Sequence, residues 1–181
     1  MVAVSIKQFK LSLSGGGTEY ERSKAVDAYA DGPFKDAVME ALGQSLGLTI
    51  ESIEGRYSVD LKRGGEVVGR LMIRLDWREK MLTASILWPS SSYERSYYSR
   101  SNIMSDFFKR EEVPTIETRI NIGLMKDSDS TAKDIVRRLL VPSYFEAYQK
   151  ALGIIKASDE TIRTNEGVVQ SYQLTFALPL H

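Results

Sequence analysis

A chain of 181 residues, 43% hydrophobic and 27% charged, has the make-up of a globular protein with a real core. Its 24 basic side chains balance 24 acidic ones, so no global field points to nucleic acid or a membrane surface. There is no cysteine and one histidine, His181, which excludes a disulfide framework, a thiol nucleophile, cysteine-ligated zinc or iron–sulfur sites, multi-histidine metal sites and a Ser-His-Asp triad in the body of the fold. No apolar run reaches the ~18 residues that a membrane-spanning helix needs. Length and composition predict a single α+β domain over residues 1–181, cytoplasmic, with no internal repeat and no long linker.

The opening stretch alternates. Val2, Val4 and Ile6 share one parity, and Phe9, Leu11 and Leu13 the other. A strand from about Val2 to Leu13 with a bulge near Lys7-Gln8 is the expectation, rather than a signal peptide. Gly15-Gly16-Gly17 then forms a turn, and the charged, alanine-containing residues 19–31 carry no clear period. A helix is predicted to start at Asp31-Gly32-Pro33, because proline at the first helical position gives up nothing. Phe34, Val38, Ala41, Leu42 and Ser45 form its stripe, and Gly47 ends it.

Three strands follow. Tyr57, Val59 and Leu61 alternate with polar neighbours; so do Leu71, Ile73, Leu75 and Trp77, and then Leu82, Ala84, Ile86 and Trp88. The connections Arg63-Gly64-Gly65 and Arg78-Glu79-Lys80 are short and polar, which predicts an antiparallel meander. Residues 89–112 break the pattern. Ile116, Thr118, Ile120, Ile122 and Leu124 predict a fourth strand of the sheet after the break. Asp127-Ser128-Asp129-Ser130 offers helix caps, and Ala132, Ile135, Val136, Leu139 and Leu140 make the clearest helical stripe of the chain. Pro142 interrupts it, and Ser143-Tyr144-Phe145-Glu146 restarts a helix to about Ile155. Tyr172, Leu174, Phe176 and Leu178 predict a last strand over Val168 to Leu178. The order is thus β-α-β-β-β-loop-β-α-α-β: about five strands, mostly antiparallel, with helices packed on one face.

The most unusual stretch runs from Ser90 to Asn102, with three tyrosines, two arginines and six serines in thirteen positions. Tyrosine, serine and arginine dominate adaptable protein-recognition surfaces. The same side chains also stack on bases and bind phosphates, and they suit a plain solvated loop equally well. Charge is uneven along the chain. Residues 62–110 carry ten basic and five acidic side chains, against six and nine before them and eight and ten after. Arg70 and Arg74 share a face of one strand, with Arg56 and Lys62 as candidates to join them. The alternative is a face laced with cross-strand ion pairs, such as Arg74 with Asp60.

Other motifs carry less. Asp127-Ser128-Asp129-Ser130-Thr131 lacks the sixth-position glycine and twelfth-position glutamate of a calcium loop, having Ala132 and Arg138 there. The glycine triplet lacks the Gly-Lys-Ser/Thr of a phosphate loop. Arg137-Arg138 belongs on a solvated helix face. Glu111-Glu112 need not converge, and no nucleophile–base pair stands out by spacing.

The expectation is a non-enzymatic protein-interaction module, as an accessory or inhibitor subunit of a larger assembly. It would bind through Tyr93, Arg95, Tyr97, Tyr98 and Arg100, with Arg70 and Arg74 beside them, and need no cofactor or metal. The alternatives are a single-strand nucleic-acid binder using the same loop and a hydrolase built on carboxylates or a metal. The free edge of the meander offers a surface for pairing with a second copy.

Overall fold

The chain begins with a helix where alternation predicts a strand. The computed structural model describes residues 2–53, 58–76, 81–89, 118–140 and 143–176, with backbone alone at 158, 162 and 166–176. Helix α1 spans Ile6–Ser12. Ser5 explains it: its hydroxyl accepts the Gln8 N–H (3.2 Å), and the Gln8 side chain accepts the Ser5 N–H (3.1 Å). This reciprocal cap satisfies donors that a strand here would have to place on a neighbour. The segment before it docks across the end of the sheet. Ala3 N–H donates to Ser128 Oγ (3.0 Å), and Lys7 N–H to the Leu124 carbonyl (2.9 Å).

A second reciprocal cap, Thr18 with Glu21, starts α2 (Glu19–Tyr29). It runs without a break through a π turn (Ala30–Phe34) into α3 (Lys35–Leu46). Pro33 therefore lies inside a helical rod and does not start one. Proline lacks an N–H and its ring crowds the carbonyl four residues back; a widened turn relieves that crowding and lets the rod continue. The π turn also keeps the core row in line. Val26, Ala30, Phe34, Val38 and Leu42 are all buried at a spacing of four. On an ideal α-helix that row drifts by roughly 160° over its length; the wider turn takes back much of the drift. The rod ends at Gly47, in the left-handed region with φ 63°.

Among the described residues five antiparallel strands follow in the order β1-β2-β3-β4-β5. They are β1 (Thr49–Ser52), β2 (Ser58–Arg63), β3 (Glu66–Asp76), β4 (Met81–Leu87) and β5 (Arg119–Gly123). The four-residue edge strand β1 is not foreseen by the alternation pattern. Gly64 and Gly65 both have positive φ, and Arg63 pairs with Glu66, so the β2–β3 hairpin closes through two residues. Register stacks the apolar residues in rows: Val59, Leu71 and Ile86 in one, Ile73, Ala84 and Ile120 in the next, Leu75, Leu82 and Ile122 in a third. A bulge between Leu61 and Lys62 of β2 leaves Val68 of β3 without a partner.

Helix α4 (Ser128–Arg138) packs on α3 and meets β5. Asp127 caps it, accepting the Ser130 N–H at 2.7 Å. Ala132, Ile135, Leu139 and Leu140 are buried, as their spacing predicts. Helix α5 spans Ser143–Phe176. The strand expected over Val168–Leu178 is thus helix as far as Phe176. Residues 156–167 hold no proline and only one glycine, so nothing stops a helix once started, and each added residue makes its own hydrogen bond. A lone alternating segment has no such partner built in.

Among the described residues the architecture is α+β: a five-stranded antiparallel sheet with helices packed against it. The chain divides into two compact units, Met1–Trp88 with Pro114–Glu146 and Pro89–Val113 with Ala147–His181. The first holds the sheet, α1 to α4 and the first turn of α5. In the second, the described residues are Pro89 and the rest of α5, whose buried stripe is Ala147, Tyr148, Ala151 and Ile155. Among the described residues no helix is long and apolar enough to cross a membrane.

Candidate partner-binding groove

Tyr93, Arg95, Tyr97, Tyr98 and Arg100 lie outside the described residues. Arg70 and Arg74 sit on β3 with alternate residues facing away from the apolar rows. Asp60 is directly opposite Arg70, and their side chains meet at 2.6 Å with both less than a quarter exposed. This is a cross-strand ion pair of the kind the alternative reading describes, with register giving the Asp60 carboxylate to Arg70 rather than to Arg74. Lys62 pairs with Glu51 (2.5 Å) and Arg119 with Asp76 (3.5 Å). Arg74 is exposed and stands opposite Thr83, a buried residue whose hydroxyl donates to Asn121 (3.3 Å). Among the described residues the basic side chains of this face are therefore interleaved with acidic ones.

A different surface is concave and incompletely covered. Between α1, α2 and the end of β5 lies a groove of about 840 Å³. Ile6 and Val26 form its buried floor. Leu11 (61% exposed), Tyr20 (75%) and Met125 (72%) stand on its walls. Large apolar side chains left in water around one hollow differ from scattered surface leucines, because together they form a patch that a partner can cover.

The groove's shape is held from behind. The Tyr29 ring stacks on Phe9 at a centroid distance of 4.0 Å, and its hydroxyl donates to the Val4 carbonyl (2.8 Å). Burial raises the Tyr29 phenol above its ordinary value, so it remains a hydrogen-bond donor. Gly17, with φ 73°, turns the chain between the helices, and Arg22 donates to the Gly16 and Gly17 carbonyls (3.4 and 2.6 Å).

Charge around the groove is one-sided. Lys7, Lys10 and Arg22 line it against one carboxylate, Glu19. Nearby Glu21 is committed to the cap: hydrogen bonds from the Thr18 N–H and hydroxyl hold it below the usual glutamate range. Lys7 Nζ lies 3.8 Å from Met125 Sδ, and none of the three cations forms an ion pair among the described residues. Nor do three metal-ligating side chains gather anywhere among the described residues.

No family model, curated protein or solved structure matches this chain. Sequence alternation concealed the groove by casting residues 2–13 as a strand. The signal that reveals it is the pair of capping boxes, Ser5 with Gln8 and Thr18 with Glu21, on either side of the glycine triplet. Two such starts a dozen residues apart describe a helical hairpin.

Proposed function

We propose that the protein is a non-enzymatic interaction module that binds another protein, as an accessory or inhibitor subunit does, through the groove between α1 and α2. One observation carries the reading: Leu11, Tyr20 and Met125 are each more than half exposed around a single apolar hollow. Burying apolar surface stabilises an association by about 25 cal/mol per Å² before the entropy of binding is subtracted. Methionine adapts to varied partners, and tyrosine contributes area at small entropic cost. The sequence supports the same class of function separately, since residues 90–102 have the composition of an adaptable recognition segment.

A photo-crosslinking amino acid placed at Leu11, in the host cell, tests this. One discrete protein adduct is expected. The adduct is absent when the probe sits at exposed Lys133 on α4, and it is lost when Tyr20→Asp and Met125→Asp are added. No adduct at Leu11, or the same adducts from both positions, overturns the reading.

A further inference from the structure

Resting on that reading of the groove, we infer that its occupant is an acidic amphipathic helix of the partner, whose apolar face meets Leu11, Tyr20 and Met125 and whose carboxylates meet Lys7 and Lys10. The first argument is backbone chemistry. An extended peptide must find hydrogen bonds for its own N–H and C=O groups. The groove supplies few. Beyond the first turns its walls are helices whose backbone groups are paired within the helix. The Leu124 carbonyl is taken by the Lys7 N–H, and the Gly16 and Gly17 carbonyls by Arg22. A helix brings its backbone bonds with it and needs only side-chain contact.

Length agrees with this. Seven residues of α1 and eleven of α2 give walls of roughly 10 and 16 Å. That holds about two to three turns of a docked helix. Charge then sets the sign of the partner. Three cations and one carboxylate line the groove of a chain whose formal net charge is zero. Lys7 and Lys10 are exposed, lie three apart on α1 and so point along the same wall. Glutamates flanking an apolar stripe complement them; lysines would be repelled. The concave form argues against a bilayer, which presents a plane and leaves a hollow unfilled.

The test uses the full chain and synthetic helical peptides about four turns long, with one common leucine face and polar positions of glutamate, glutamine or lysine. Fluorescence anisotropy reads binding at low salt and at about 0.15 M, where charge contacts are partly screened. The glutamate peptide is expected to bind at least about tenfold tighter than the lysine peptide, with the gap narrowing as salt rises. Lys7→Glu with Lys10→Glu should reverse that order while leaving the circular dichroism unchanged. Leu11→Asp with Met125→Asp should abolish binding of all the peptides. Equal binding of all three peptides overturns the acidic partner but leaves the groove as a docking site. No peptide binding alongside a Leu11 adduct in cells overturns the helical occupant alone. Leu11-dependent sedimentation with anionic vesicles, with no peptide bound, overturns the inference in favour of a lipid surface.

Discussion

Tyr144 occupies the space that a side chain on Gly69 would need. A Cβ on Gly69 would stand 3.0 Å from Tyr144 Cε1 and 3.2 Å from Leu61 Cδ1. The Tyr144 hydroxyl accepts the Arg70 N–H (2.9 Å), and its single proton is within reach of the Arg70 and Leu87 carbonyls (2.9 and 3.0 Å). One aromatic residue from the first turn of α5 thus completes the end of the β3–β4 ladder, with Trp88 edge-on to its ring at 6.0 Å.

Gly69→Ala should therefore destabilise the first unit by about 1–3 kcal/mol, since a ring and a leucine methyl must both shift. Tyr144→Phe keeps the packing and removes the hydroxyl with its part-buried hydrogen bonds to Arg70 and Leu87, at a cost of about 1–3 kcal/mol. Urea denaturation of both variants checks the pair. Either one at wild-type stability contradicts this account of the contact.

Asp127 and Asp134 give the fold a defined response to acid. Hydrogen bonds from Ser130 hold the Asp127 carboxylate below the usual aspartate range. A hydrogen bond from Lys126 does the same for Asp134, aided by the charges of Lys126, Arg137 and Arg138. Both folded values are depressed, so their stabilisation is complete above the ordinary aspartate range. It is lost as pH falls through the depressed values. Asp127→Ala should remove about 1 kcal/mol at neutral pH by uncapping α4. The loss should shrink in acid, as denaturant midpoints measured across pH would record.

Thr131 is buried in α4 with a hydroxyl that has no hydrogen-bond partner among the described residues. Valine has nearly the same shape without the unpaired polar atom. Thr131→Val should raise stability by about 1 kcal/mol, seen as a higher melting temperature.

Asp60 and Arg70 form a partly shielded pair directly across β2 and β3. A double-mutant cycle with Asp60→Asn and Arg70→Met should give a coupling energy of about 0.5–1 kcal/mol or somewhat more. The same cycle on Asp60 and Arg74 should give a value near zero, because register separates them.

Much of the sheet was legible from local alternation. Val59 and Leu61, Leu71 to Leu75, and Leu82 to Ile86 point to one face because side chains alternate whatever the neighbours are. The Gly64-Gly65 turn and the Asp127 cap were legible for the same reason: each depends on one or two residues whose conformational preferences are local. The two ends of the chain were not. Val2, Val4 and Ile6 alternate, and so do Tyr172, Leu174 and Phe176, but alternation predicts a strand only where another strand stands ready to pair. The Ser5–Gln8 cap and the unbroken run after Ser143 supply hydrogen bonds inside the segment, and those win.

By itself, the sequence determined what is written in composition and short-range pattern. It rules out cysteine and multi-histidine chemistry, it makes the chain α+β, and it places the core rows of β2 to β4 and the stripe of α4. The tertiary structure alone decided which charge Asp60 meets, why Gly69 has no side chain, and that Leu11, Tyr20 and Met125 surround one hollow. Those relationships join residues far apart in the chain. Register and helix packing bring them together, and no local preference encodes either.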